Sequence, residues 1–238
     1  MLGRVVTEAL NAMAAGVGNP LAWHFFHNRG RLIHKWHHYF EIYHRHFAPF
    51  RGRSPVVLEI GVYHGGSLQM WRKYFGRGAH IIGVDIDPRC KAFAEDGVEV
   101  LIGDQADRAF HAELRRRYPK VDIVIDDGGH TMEQQITTFE ELYPHLQPNG
   151  VYLCEDLHTS FLPKFGGGVR REGSFIEHCK PLIDRLHGWY LNDAQLPVDA
   201  FTRSTFALHF YYSVFVAEKR PIAPPMQSET GVPSFPLA

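Results

Sequence analysis

The sequence predicts an α/β three-layer sandwich, with helices on both faces of a mostly parallel sheet, an antiparallel last strand and further helices ahead of it. Three observations predict this. Short apolar runs recur at 56–60, 80–84, 98–102, 121–125 and 151–154, each followed by a glycine or an acid. Between them, segments 66–75, 88–95, 106–118 and 132–146 carry helical spacing. Near the end, two apolar runs at 205–209 and 211–217 abut with no room for a helix between them. Runs this short fit strands buried on both faces. Their alternation with helices implies right-handed crossovers, and the abutting pair reads as a hairpin at one edge.

A chain of 238 residues suits one such domain with decoration. With 45% apolar and 21% charged residues it has an ordinary globular composition. A net charge of −1 offers no basic excess to release counterions from phosphates, so nucleic acid is not an expected partner. Cys90, Cys154 and Cys179 are scattered and odd in number, which points to a reducing compartment and away from a disulfide framework or thiolate zinc. The run after Arg4 is broken by Thr7, Glu8 and Asn11, unlike a signal h-region, and no unbroken apolar stretch could span a bilayer. A cytoplasmic protein with no membrane partner is expected. The parts are a helical extension over 1–53, a core domain over 54–220 and a Pro-rich, loosely ordered tail over 221–238.

In the extension, Trp36, Tyr39, Phe40, Tyr43 and Phe47 fall on one helical face. That stripe could pack on the chain's own core or on a second subunit, which leaves a homo-oligomer open. His34 and His38 are spaced one helical turn apart, but a solvated or interface face explains the local histidines better than a metal site.

In an open α/β sheet, ligands bind beyond the carboxyl ends of the strands. The first run ends in Glu59, Gly61, Gly65, Gly66 and Ser67, the second in Asp85, and the third in Asp104 and Gln105. Glycines let backbone approach a ligand closely. Asp85 stands where an acid holds ribose hydroxyls, and Asp104 and Gln105 suit an adenine edge. A dinucleotide site would want G-x-G-x-x-G, whereas this loop reads E-x-G-x-x-x-G-G. It resembles the first motif of the class I, Rossmann-like S-adenosylmethionine (SAM)-dependent methyltransferases. The resemblance implies SAM as cofactor, with Glu59, Gly61, Gly65 and Ser67 around its methionine part, and Asp85, Asp104, Gln105 and Asp126 completing the site.

The fourth run ends in Asp126, Asp127, Gly128, Gly129 and His130, the fifth in Glu155, Asp156 and His158. Neighbouring acids after buried strands are costly unless compensated. A divalent cation held by carboxylate oxygens would compensate them, and hard oxygen ligands favour magnesium, calcium or manganese. From about residue 35 to 219 the chain also resembles the magnesium-dependent, mycinamicin-type sugar O-methyltransferases and the broader cephalosporin hydroxylase-like group. Their D-G-x-H segment is matched by Asp127 to His130, and their Glu-Asp pair by Glu155 and Asp156. The resemblance implies Mg2+ bound by Asp127, Glu155 and Asp156, His130 as general base with Asp127 beside it, and a small-molecule or glycan acceptor. Asp126 hydrogen-bonds the loop. Phe161, Phe165 and the glycines at 166–168 fit either a flexible segment that could close over an acceptor or a long surface loop, and His158 stands near enough to serve as a second ligand or base.

Such chemistry needs an acceptor oxygen aligned with methyl and sulfur, and a metal on vicinal hydroxyls would orient and acidify the attacking one. Non-haem iron hydroxylation is the alternative, but iron centres of that type want two histidines and one carboxylate. A non-catalytic nucleotide-binding protein of the same fold is a third reading. The macrolide enzymes are longer, with an N-terminal region present here only in short form.

Overall fold

The structure, a computed structural model, describes residues 18–191 and 194–235. The run around residues 4–11 and the end of the tail lie outside the described residues.

Among the described residues two short helices come first, α1 (Pro20–Phe26) and α2 (Tyr39–Phe47). The core then runs β1 (Val56–Ile60), α3 (Gly66–Phe75), β2 (His80–Asp85), β3 (Val98–Ile102), α4 (Arg108–Arg117), β4 (Ile123–Asp126), α5 (Met132–Leu142), β5 (Val151–Cys154), α6 (Phe175–Leu186), β6 (Thr205–Tyr211) and β7 (Val214–Lys219). The seven strands form one sheet in the order β3-β2-β1-β4-β5-β7-β6. β1 to β5 are parallel, and β7 runs antiparallel between β5 and β6. The expected three-layer fold and antiparallel last strand are therefore present.

Period-two alternation divides the core. Val57, Ile81, Ile123 and Leu153 face one layer with Tyr39, Tyr43, Phe47 and Trp71. Leu58, Ile60, Ile82 and Val124 face the other, with Leu114, Phe139, Leu142 and Phe175. Glu59, between Leu58 and Ile60, consequently points into the first layer despite its charge and is fully buried.

Helix boundaries follow local chemistry. Asp107 caps α4 through Ala109 N. Thr131 and Gln134 form a capping box that fixes the start of α5 just after His130. The helix expected over 88–95 is a 3-10 turn, Pro88–Phe93, capped by Asp87. The hairpin turn falls at 212–213 rather than 210, with Tyr211 paired to Val214 across it and Ser213 in the left-handed region (φ 66°).

The extension is helical in two pieces, and the helix expected to carry Trp36 through Phe47 begins only at Tyr39. Residues 27–38 are not helical. Trp36 lies off α2 and is exposed, while Tyr39, Phe40, Tyr43 and Phe47 are fully buried in the chain's own core. Burial of each contributes about 1.5–3 kcal/mol, so this face is already used internally.

Candidate active site

The strand order reverses between β1 and β4, and a cleft of about 500 Å³ opens there beyond the carboxyl ends of the strands. Its walls include Gly61, Val62, Tyr63 and Ser67 after β1, Asp85 and Asp87 after β2, Asp104 and Gln105 after β3, Asp127 to Gly129 after β4, and Leu32 to Lys35 from the extension.

Backbone sets the shape of the cleft. Gly61 has φ +96°, and a Cβ there would stand 2.0 Å from the carbonyl oxygen of Asp127. Asp85 accepts hydrogen bonds from Val62 N (2.8 Å) and Tyr63 N (3.0 Å) through one oxygen, and from Asp87 N (2.9 Å) through the other. It clamps the glycine loop while lining the cleft, and Asp87, not singled out in the sequence, lines the same wall.

Three residues expected to touch cofactor sit behind the wall. Glu59 accepts from Ser67 Oγ (2.8 Å) and Trp71 Nε1 (2.9 Å), and it borders the cleft through Ser67 and Lys35, which line it. Its carboxyl is pushed up to about 7 by burial, against the pull of the Lys35 ammonium and the Trp71 hydrogen bond. Asp126, also wholly buried, binds the Gln105 amide and the Tyr152 hydroxyl, so it acts by orienting Gln105. Burial raises it to about 7. Gly65 begins α3 at φ +73°, packed against Phe93 rather than facing the cleft.

Beside the cleft, the ends of β4 and β5 form an acidic rim. Side-chain atoms of Asp127, His130 and Asp156 converge within 4.8 Å of one another. His130 Nε2 lies 3.5 Å from Asp156 Oδ2 and 3.9 Å from Asp127 Oδ1, while its buried Nδ1 has no hydrogen-bond partner. His130 (φ 60°) and Asp156 (φ 56°) both occupy the left-handed region. Such strain costs of order 1 kcal/mol per residue and persists only where surroundings enforce it.

The sequence reading missed what lies beneath the rim. Lys35 Nζ donates to Asp127 Oδ2 and to Glu155 Oε1 (2.7 Å), and stands 4.0 Å from Glu59. Burial opposes the ammonium, but the Asp127, Glu155 and Glu59 carboxylates outweigh it and hold its pKa above the ordinary lysine value. Tyr43 OH donates to Glu155 Oε1 (2.6 Å), and Tyr39 OH donates to Asp156 Oδ1 (2.7 Å). Glu155, buried and pushed upward by desolvation and by Asp127, is therefore turned toward Lys35 and Tyr43. Asp127, Asp156 and His130 form the open face instead.

One ammonium does not neutralise Glu59, Asp127, Glu155 and Asp156 together, and the surplus negative charge is what a divalent cation would offset. Hard carboxylate oxygens with room for water suit magnesium. The rim residues thus fit the metal expected of them, with Glu155 available to it only by sharing with Lys35.

Other expected site residues lie at the margins. His34 is on a non-helical stretch lining the cleft, and His38 Nε2 is 2.9 Å from the Tyr212 carbonyl, so the two do not form a helical metal pair. His158 Nδ1 pairs with Ser213 Oγ (2.7 Å) and stands 4.0 Å from Asp156. The glycine segment is packed rather than loose, since Gly167 N and Gly168 N bond Leu162 and Ser160 carbonyls and a Cβ on Gly167 would strike Ser160 O at 2.4 Å. Phe165 packs edge-on against His130 at 6.3 Å, and Phe161 is exposed.

A glycine-walled cleft at the switch point beside an acidic rim, on this strand order, is the arrangement of the Rossmann-like methyltransferases. Residues 58–157 match the family described as a methyltransferase domain. The chain is 39% identical over 197 residues to 8-demethyl-8-alpha-L-rhamnosyl tetracenomycin-C 2'-O-methyltransferase of Streptomyces olivaceus, covering 78% of this chain and 52% of that protein. It is 36% identical over 204 residues to mycinamicin VI 2''-O-methyltransferase of Micromonospora griseorubida, covering 81% and 49%. The solved structure of MycE methyltransferase in complex with Mg, SAH and mycinamycin VI superposes with a TM-score of 0.74 at 32% identity, over 91% of this chain and 55% of that one. The resemblance read from the motifs is borne out, and the chain spans about half the length of the curated relatives it matches. Among the described residues, no helix is long and apolar enough to cross a membrane.

Proposed function

We propose that this chain carries the reaction centre of a SAM-dependent, divalent-metal-dependent O-methyltransferase acting on a hydroxyl of a sugar or glycosylated small molecule. The observation that carries this reading is a shared wall. Asp127 and Gly128 line the cleft, and the Asp127 side chain also converges with Asp156 and His130 on the rim. A methyl donor in the cleft and a hydroxyl on the rim would then meet across one residue, as an in-line displacement requires. Residues 54–220 bear the cofactor and reacting groups, and the preceding segment contributes Lys35, Tyr39 and Tyr43.

The residues divide the work. Gly61, Ser67, Asp85, Asp104 and Gln105 bind and orient SAM, with Glu59, Gly65 and Asp126 supporting them from behind. Asp127 and Asp156, with Glu155 alongside, hold the metal, which supplies acidification and orientation of the acceptor hydroxyl. His130 Nε2 takes the hydroxyl proton as the oxygen attacks the methyl carbon and the sulfonium bond breaks. Its separation from Asp156 and Asp127 leaves the nitrogen facing the rim. At the rim beside the cleft one histidine converges with two carboxylates, which differs from the two-histidine set of a non-haem iron hydroxylase; a two-histidine set, His46 and His209 with Glu218, stands apart from the residues that line the cleft.

Titration calorimetry with SAM, with NADH as control, tests the cofactor. Transfer of labelled methyl from SAM to a panel of rhamnosyl and deoxysugar glycosides, with magnesium or with chelator, tests the reaction. SAM should bind and NADH should not. His130→Gln should lower turnover by about 10²–10⁴-fold while SAM affinity changes little. Absence of SAM binding would overturn the reading, as would turnover unaffected by both chelator and His130→Gln.

A further inference from the structure

At the other end of the sheet lies a second cluster that the methyl-transfer reading does not use. Glu218 on β7 pairs with Val151 at the start of β5, whereas the acidic rim follows the end of that strand. Around Glu218 stand His46 from α2 and His209 from β6, and donor atoms of all three lie within 4.8 Å of one another. We propose that His46, His209 and Glu218 form a second metal site, of zinc type, that fastens the N-terminal extension to the β6–β7 hairpin.

The geometry supports coordination over a chance meeting of polar groups. His46 Nδ1 lies 2.8 Å and His209 Nε2 3.4 Å from the same oxygen, Glu218 Oε1. Zinc bonds of ~2.0–2.1 Å in a tetrahedron place neighbouring ligand atoms about 3.3 Å apart, so small shifts would seat an ion between them. His46 Nε2, on the far side of its ring, is 2.9 Å from Tyr211 OH. An outer hydrogen bond of this kind fixes ring orientation and leaves the other nitrogen for the metal.

His209 Nε2 is a buried atom with no hydrogen-bond partner, although it faces the carboxylate. Buried polar atoms are rarely left in this state, and a bound ion would satisfy it. Burial pushes His46 below its ordinary value, toward the neutral ligand form, although the Glu218 hydrogen bond pulls the other way. Side chains of His209 and Glu218 are 34% and 28% exposed, which gives an ion an entry path and leaves a coordination position for water.

Donor chemistry would sort metals between the two ends of the sheet. Two imidazoles and one carboxylate suit zinc, and the same set also takes iron(II), whereas an oxygen-rich rim suits magnesium. The site is closed by residues 46, 209 and 218, so an ion there would couple segments separated by more than 160 residues.

The test is zinc titration of the chelator-treated full chain in excess magnesium, read by calorimetry and by competition with a chromophoric chelator, with thermal melting in parallel. One zinc should bind per chain and raise Tm. Binding should persist in the Asp127→Asn, Asp156→Asn double variant, which removes two of the proposed rim ligands. It should weaken at least ~100-fold in His209→Gln and in Glu218→Gln, and about 10-fold in Tyr211→Phe. Loss of zinc binding in the rim variant with retention in His209→Gln and Glu218→Gln would overturn the proposal. So would the absence of zinc binding to the wild-type chain while circular dichroism shows it folded.

Discussion

The cleft and the rim share a wall but are built by opposite means. The cleft is shaped largely by backbone, with Gly61 pressed against the Asp127 carbonyl and Asp85 gripping loop amides. The rim is made of charges that would repel one another without Lys35 beneath them. One region depends on close approach and the other on charge balance, so damage to each should leave a different signature.

The largest difference should come from Lys35→Met. Removing one partner of a buried ion pair typically costs 3–5 kcal/mol, and here it leaves Asp127 and Glu155 facing each other. The metal-free variant should lose roughly that much stability in urea unfolding, and magnesium should restore part of it. A stability loss below 1 kcal/mol, or one indifferent to magnesium, would mean that Lys35 is not the rim's counter-ion.

Gly61→Ala tests where the contrast breaks down. Its Cβ would meet Asp127 O at 2.0 Å, and φ +96° strains any side chain. A cost of about 1–3 kcal/mol is expected for the backbone strain. Because the clash displaces Asp127, SAM affinity and turnover should fall together, whereas His130→Gln should lower turnover alone. Separate responses in Gly61→Ala would show that the wall is not shared.

Tyr39→Phe removes a hydroxyl that donates to Asp156 and should cost about 1–2 kcal/mol. Turnover should fall more than SAM affinity, and equal losses in both would place Asp156 in the cleft's support rather than the rim's.

The smallest effect concerns pH. Glu59 has a folded pKa near 7 against an ordinary 4.5, so the folded state holds more protons between those values and its contribution to stability falls as pH rises through that window. The stability of the wild type relative to Glu59→Gln should decline from pH 5 to pH 7 in chelator-treated protein. A flat or rising difference would indicate that Lys35 keeps Glu59 ionised throughout.

The contrast also explains what could be read from the sequence. β1, β3 and β5 have the expected bounds because runs of buried strand residues end at turn-forming positions. The glycine loops and both acid clusters follow from the same punctuation. Lys35 carried no such signal, being one basic residue among histidines with no periodic neighbours. Tyr39 and Tyr43 were visible as core, but a period cannot say that their hydroxyls reach Asp156 and Glu155. A usable hint was Glu59. Strand alternation puts it on a buried face, and an acid there calls for a cation that the core domain, from residue 54 onward, does not supply. The turn of Glu155 toward Lys35 and Tyr43 and the packing of the glycines at 166–168 were not legible for a related reason, because side-chain direction and loop packing depend on partners distant in the chain.

The lysine under the rim also imposes an order on biosynthesis. Lys35 leaves the ribosome 120 residues ahead of Glu155, and Tyr39 emerges 174 ahead of Ser213, whose carbonyl its hydroxyl also reaches. The segment carrying Lys35 and Tyr39 must therefore wait, with apolar rings uncovered, until residues as far on as Ser213 have been synthesised. A nascent chain in that interval is a natural client for chaperones that shield such surfaces. Once the rim does assemble, the join between the two segments is made at the centre where chemistry would occur, so that centre is complete only after residues as far apart as 39 and 213 have met.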